Sequence, residues 1–153
     1  MNKRAFVTFM IRSIKILSLS LLFLFISACS EQPTYPEVPR IGGDVVVDVS
    51  GLPSEIPEFF TYYYHGKKIN FFVMKTNQII LSFLDACIKC YPEKRGYRFD
   101  GRKVICRACN LNYPVSEIEK GFGSCYPIRL PGHVQNGKYH ISLSLLEAQV
   151  DKF

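Results

Sequence analysis

The chain has 153 residues, enough for one domain plus a leader or linker, with an ordinary globular composition: 48% hydrophobic, 14% aromatic and no tryptophan. Its formal net charge is +6, but Lys3, Arg4, Arg12 and Lys15 fall in residues 1–28, where there is no acid, and the remainder carries only +2. The basicity therefore belongs largely to the N-terminal segment, which argues against a nucleic-acid-binding surface and leaves no nucleic-acid partner.

Residues 1–28 read as an export signal, with a basic start followed by an apolar run over residues 16–25. The run ends in Ile26-Ser27-Ala28-Cys29, and small residues just before a cysteine resemble the bacterial lipobox. On this reading Cys29 is lipidated and becomes the mature N-terminus. The alternative is an uncleaved anchor, since the run and its flanks nearly span a bilayer. Both readings put the rest of the chain at a bacterial cell envelope, held to a membrane and facing the periplasm or the cell exterior. Residues 29–43, with Pro33, Pro36, Pro39 and Gly42-Gly43, read as a stiff tether. Residues 44–153 read as one domain.

The fold class expected for that domain is mainly β. Residues 45–49, 59–64, 69–74 and 78–84 are β-branched or aromatic runs. The breaks between them are Gly51-Leu52-Pro53, His65-Gly66 and Thr76-Asn77. Continuous apolar stretches suggest a packed sheet. One helical turn is expected over 115–120, a last strand over 138–143 and a short C-terminal helix over 144–150. In that helix Ser144 and Glu147 stand at capping-box spacing.

The densest chemistry lies between residues 87 and 125. Cys87-Ile88-Lys89-Cys90 and Cys106-Arg107-Ala108-Cys109 are two Cys-x-x-Cys pairs separated by a fifteen-residue stretch. That spacing matches a four-thiolate metal site. Asp100-Gly101 lies between residues 96–99 and 102–105, which read as two short strands, and predicts a hairpin whose two central residues take positive φ. Such a hairpin returns Cys106 toward Cys90, so that two knuckles can close around one ion. Two disulfides, redox-active within each Cys-x-x-Cys, or buried apolar cysteines that happen to fall in pairs, are the alternative readings. Four thiolates suit zinc, mononuclear iron or an iron–sulfur cluster alike.

Cys125, in Gly123-Ser124-Cys125-Tyr126-Pro127, is a further thiol on a bent loop. It is expected to cover the knuckles as an accessory thiol, with a buried apolar cysteine as the alternative. His133 is the replacement ligand to consider if one cysteine is unused. The cations from Lys89 to Arg107 suit a negatively charged metal–thiolate site or an acidic redox partner. No twin-arginine pair is present, so the chain is expected to cross the membrane unfolded and to acquire its metal outside.

The segment from Phe83 through Cys87 and Cys90 to Pro92, with Gly96-Tyr97-Arg98, Val104 to Asn110, Tyr113-Pro114 and Gly123 to Ile128, resembles the FtrD-like family. These are membrane iron–sulfur proteins found with bacterial iron-uptake systems. The resemblance covers most of the mature chain. It implies iron or an iron–sulfur cluster held by Cys87, Cys90, Cys106 and Cys109, electron transfer or iron handling, and an iron-permease or redox partner. Many members carry several transmembrane helices before this module, and often Gly-Gly-Cys-Asn-Pro around the fifth cysteine. More loosely, the paired ligands on two loops resemble a Rieske-like or zinc-ribbon-like architecture. A structural-zinc interaction module and a thiol–disulfide protein are the alternatives.

Overall fold

A computed structural model of the chain describes residues 32–121 and 123–153. The export signal expected over 1–28 and the lipidation expected at Cys29 lie outside the described residues. In chain order the strands are β1 (Arg40–Ile41), β2 (Asp44–Asp48), β3 (Glu58–Tyr64), β4 (Lys67–Thr76), β5 (Ile79–Cys87) and β6 (Tyr97–Phe99). They continue with β7 (Lys103–Cys106), β8 (Asn112–Pro114), β9 (Pro127–Arg129), β10 (His133–Gln135) and β11 (Lys138–Ser142). They make three antiparallel sheets, ordered β1-β2-β11-β10, β3-β4-β5-β9 and β6-β7-β8. The mainly β class read from the sequence is the fold observed.

The second sheet is central because β4 and β5 are apolar on both faces. Side chains alternate along a strand, so one run can serve two cores. Ile69, Phe71, Val73, Leu84 and Ala86 join Val45, Val47, Tyr139 and Ile141 of the first sheet in one core. The alternate residues Phe72, Met74, Leu81, Phe83 and Cys87 meet Tyr97, Val104, Cys106 and Tyr113 of the third sheet in another. Phe71 and Phe72 are fully buried, each worth about 2–3 kcal/mol relative to exposure. The first core holds the scaffold, and the second contains the cysteines.

Three hairpins turn through paired positive-φ residues: His65-Gly66, Asn77-Gln78 and Asn136-Gly137. The expected hairpin at Asp100-Gly101 is present, but its turn is shifted by one residue. Gly101 has φ 97 and is the first central residue, while Asp100 stands outside as its flank. The Asp100 carboxylate accepts the backbone N–H groups of Arg102 and Lys103 at 2.9 and 2.8 Å. That bonding gives aspartate a better use than a positive φ, and glycine at the first central position suits a type II′ turn.

Two expectations need correcting. The tether expected over 29–43 is docked from Gln32 onward. Asn70 Nδ2 donates to Gln32 Oε1 and to the Pro33 carbonyl at 3.1 and 2.9 Å. The Tyr35 N–H donates to Thr61 Oγ1 at 2.9 Å, and Val38 is buried. Asn70 and Thr61 are fully buried polar residues and need these partners, so residues 32–41 belong to the domain. At the C-terminus the helix α1 spans Leu143–Glu147 and starts after Ser142, not Ser144. The expected capping box does not form, because Glu147 Oε1 accepts the Tyr62 hydroxyl at 2.7 Å instead. A 3-10 turn occupies Val115–Lys120, where a helical turn was expected. Among the described residues no helix is long and apolar enough to cross a membrane.

Candidate metal centre

Strand β5 runs straight into the first knuckle, so its register fixes Cys87 on the face of the second core. The Cys87 sulfur then accepts the backbone N–H groups of Lys89 and Cys90. In the second knuckle the Cys106 sulfur accepts those of Ala108 and Cys109. The two knuckles thus share one local geometry, with amides turned toward the first sulfur of each pair. Hairpin β6–β7 pairs Tyr97 with Cys106, and the Arg107 N–H donates to the Gly96 carbonyl at 2.9 Å. This folding brings the second knuckle back to the first.

Cys125 arrives by a different route. Strand β9 pairs Pro127 with Cys87, and the Ile88 N–H donates to the Tyr126 carbonyl at 3.1 Å. The approach is tight at Gly121, with φ +64, where an added Cβ would lie 2.6 Å from Tyr126 Cβ. Only glycine fits there.

The sulfurs form two overlapping groups of three. Cys87, Cys90 and Cys125 have sulfurs within 4.8 Å of one another, and so do Cys90, Cys106 and Cys109. Cys90 belongs to both. All five are free thiols; Cys87 and Cys106 are buried, Cys90 and Cys125 half-buried, and Cys109 exposed.

Crowded thiols cannot all ionise without help. Burial opposes ionisation of Cys87, but the N–H groups of Lys89 and Cys90, with the neighbouring Tyr97 hydroxyl, outweigh it and hold this thiol below its ordinary range. Burial, then the N–H groups opposing it and the charge of Cys109 adding to it, leave Cys106 pushed up to about 11. Cys90 and Cys125 are also raised, by burial first and then by neighbouring cysteines. A cation among the five would relieve this mutual repulsion.

Two tyrosines stand over the sulfurs. The ring of Tyr97 packs edge-on against Phe72 and Tyr113 at centroid separations of 6.0 Å each. The hydroxyls of Tyr97 and Tyr113 are buried and make no hydrogen bond of normal geometry within the described residues. Burial, and next the charge of Cys87, push both above the ordinary phenol range, so they remain donors. Buried hydroxyls without a well-formed partner, beside soft ligands, fit a metal–thiolate centre, whose sulfurs are acceptors.

Asp85 braces the hairpin from below. It is fully buried, and one carboxylate oxygen accepts the Tyr97 N–H. Burial pushes its carboxyl up to about 7, against the opposing pull of the Tyr97 N–H and of Arg107. Arg107 Nε donates to the Tyr97 carbonyl at 2.7 Å. Gly96, with φ +65, leaves room for the carboxylate, which a Cβ there would strike.

His133 does not serve as a replacement ligand. It sits on β10 in the first sheet, paired with His140 and outside both thiol groups. Tyr97, Tyr113, Asp85 and Gly96 were missed as parts of the site. The signal available was the hairpin register: Tyr97 opposite Cys106, and Tyr113 opposite Val104, put these side chains on one face.

The family described as membrane iron-sulfur containing protein FtrD-like matches residues 54–153. No curated protein and no solved structure matches the chain.

Proposed function

The chain belongs to the FtrD-like family of membrane iron-sulfur containing proteins, and from that premise we propose that it binds iron or an iron–sulfur centre through Cys87, Cys90, Cys106 and Cys109. On this proposal it serves a bacterial iron-uptake system as an electron-transfer or iron-handling accessory. The observation that carries the reading is the convergence of five sulfurs, in two groups of three that share Cys90. Lipidated Cys29 tethers the chain to the membrane, with the domain facing the periplasm or the cell exterior. The partner is an iron permease or another redox protein.

When bound, an iron or iron–sulfur centre supplies one-electron redox chemistry. The chain's own residues set its surroundings. The paired amides behind Cys87 and Cys106 favour negative charge on those sulfurs, enough at Cys87 to outweigh burial and at Cys106 only to oppose it. The second core, through Phe72, Val104 and Tyr113, excludes water from the buried side. Exposed Cys109 leaves the other side open to a partner.

The test is iron uptake in cells lacking the chain, grown under iron limitation. Radioactive iron uptake is expected to fall, and to be restored by the wild-type chain but not by Cys90→Ser. Full uptake without the chain would overturn the proposed role.

A further inference from the structure

His133, His140 and Asp44 lie together on the face of the first sheet that points away from its core. His133 and His140 are direct cross-strand partners on β10 and β11, and their rings stack at 5.2 Å with an interplanar angle of 19°. The Asp44 carboxylate, on neighbouring β2, lies 3.3 Å from His140 Nδ1. Val45, Val47, Tyr139 and Ile141 point into the first core. By strand alternation Asp44 and His140 therefore face the opposite way, and His133 shares that face as the partner of His140. The thiol centre belongs to the other core, on the far side of the central sheet.

The chemistry of the three residues is specific. A carboxylate at Nδ1 fixes the proton on that nitrogen and leaves the Nε2 lone pair for a cation. A directly opposed residue on the next strand stands at the right spacing to supply a second imidazole. His133 is exposed on an edge strand, so its ring can rotate to complete the pair. We propose that His133 and His140, with Asp44 orienting His140, form a second metal site, distinct from the thiol centre, for a divalent first-row transition ion that prefers imidazole. Water supplies the remaining ligands, so the site binds more weakly than the thiolates and exchanges its ion readily.

The test uses the full chain in detergent, under anaerobic conditions, with its thiol centre first saturated with zinc and loose ion dialysed away. Further zinc is then titrated by calorimetry, with the histidine ring nitrogens followed by NMR. One additional ion is expected, with the Nε2 resonance of His140 and a ring resonance of His133 shifting together. His133→Asn should weaken this step at least about tenfold, and Asp44→Asn about tenfold through loss of ring orientation. His65→Asn, on another hairpin, should leave it unchanged. His133 is exposed, so its replacement should leave the thermal melt of the chain unaltered and the result interpretable. No further zinc uptake, or uptake of equal affinity in His133→Asn, would overturn the second site.

Discussion

Tyr97→Phe should change sign between the metal-free and metal-bound protein. The ring is fully buried and packs edge-on against Phe72 and Tyr113, and phenylalanine preserves that packing. What changes is one hydroxyl, buried beside Cys87 with no hydrogen bond of normal geometry. In the metal-free protein its contact with the Cys87 sulfur is poorly formed, and an under-satisfied buried donor costs up to about 1–3 kcal/mol. Its removal should leave stability unchanged or raise it by about 1 kcal/mol, a shift of roughly 4 °C in Tm. In the metal-bound protein the sulfurs carry charge, and the hydroxyl donates to one of them. A hydrogen bond to a charged group is worth about 1.5–3 kcal/mol, so the same substitution should speed metal loss to a chelator by about 10–100-fold. Urea unfolding of the stripped protein and chelator-transfer rates of the loaded one measure the two effects. Slower or equal metal loss in Tyr97→Phe, or a clear destabilisation of the stripped form, would refute the reasoning.

Three further outcomes follow from the same geometry. Cys90→Ser should lower bound metal more than Cys109→Ser, because Cys90 alone belongs to both sulfur groups while Cys109 is exposed; equal retention, measured by metal analysis, would contradict the shared-ligand geometry. Gly96→Ala should destabilise the domain by at least about 2 kcal/mol in urea unfolding, because a Cβ at φ +65 would strike the buried Asp85 carboxylate; a neutral result would mean that the carboxylate is free to move. Cys29→Ser should leave the precursor uncleaved and without lipid, and normal lipid labelling of that variant would exclude Cys29 as the acceptor.

What the sequence made legible were features that depend on neighbours along the chain. The two Cys-x-x-Cys pairs and the Asp-Gly dipeptide between them announced a hairpin joining two knuckles. The apolar runs at 69–74 and 78–84 announced strands of a packed sheet. Features that depend on distant partners were hidden. The tether looked free because its prolines suit a linker, but buried Asn70 and Thr61 draw their partners from it. Glu147 stood at capping distance from Ser144, but the Tyr62 hydroxyl, far away in sequence, takes it. Asp100 suited a positive φ, yet its carboxylate binds the turn amides instead. Cys125 was placed near the knuckles on the character of its loop; the pairing of β9 with β5 that brings it there is a long-range contact.

The most direct test of the central claim is the absorption spectrum of the full chain, purified without oxygen, together with its iron, sulfide and zinc content. Visible charge-transfer bands with iron bound in proportion to the chain, lost together when Cys90 is replaced by serine, are the predicted result. A colourless protein holding one zinc ion, or a metal-free protein with its cysteines paired as disulfides, would contradict it.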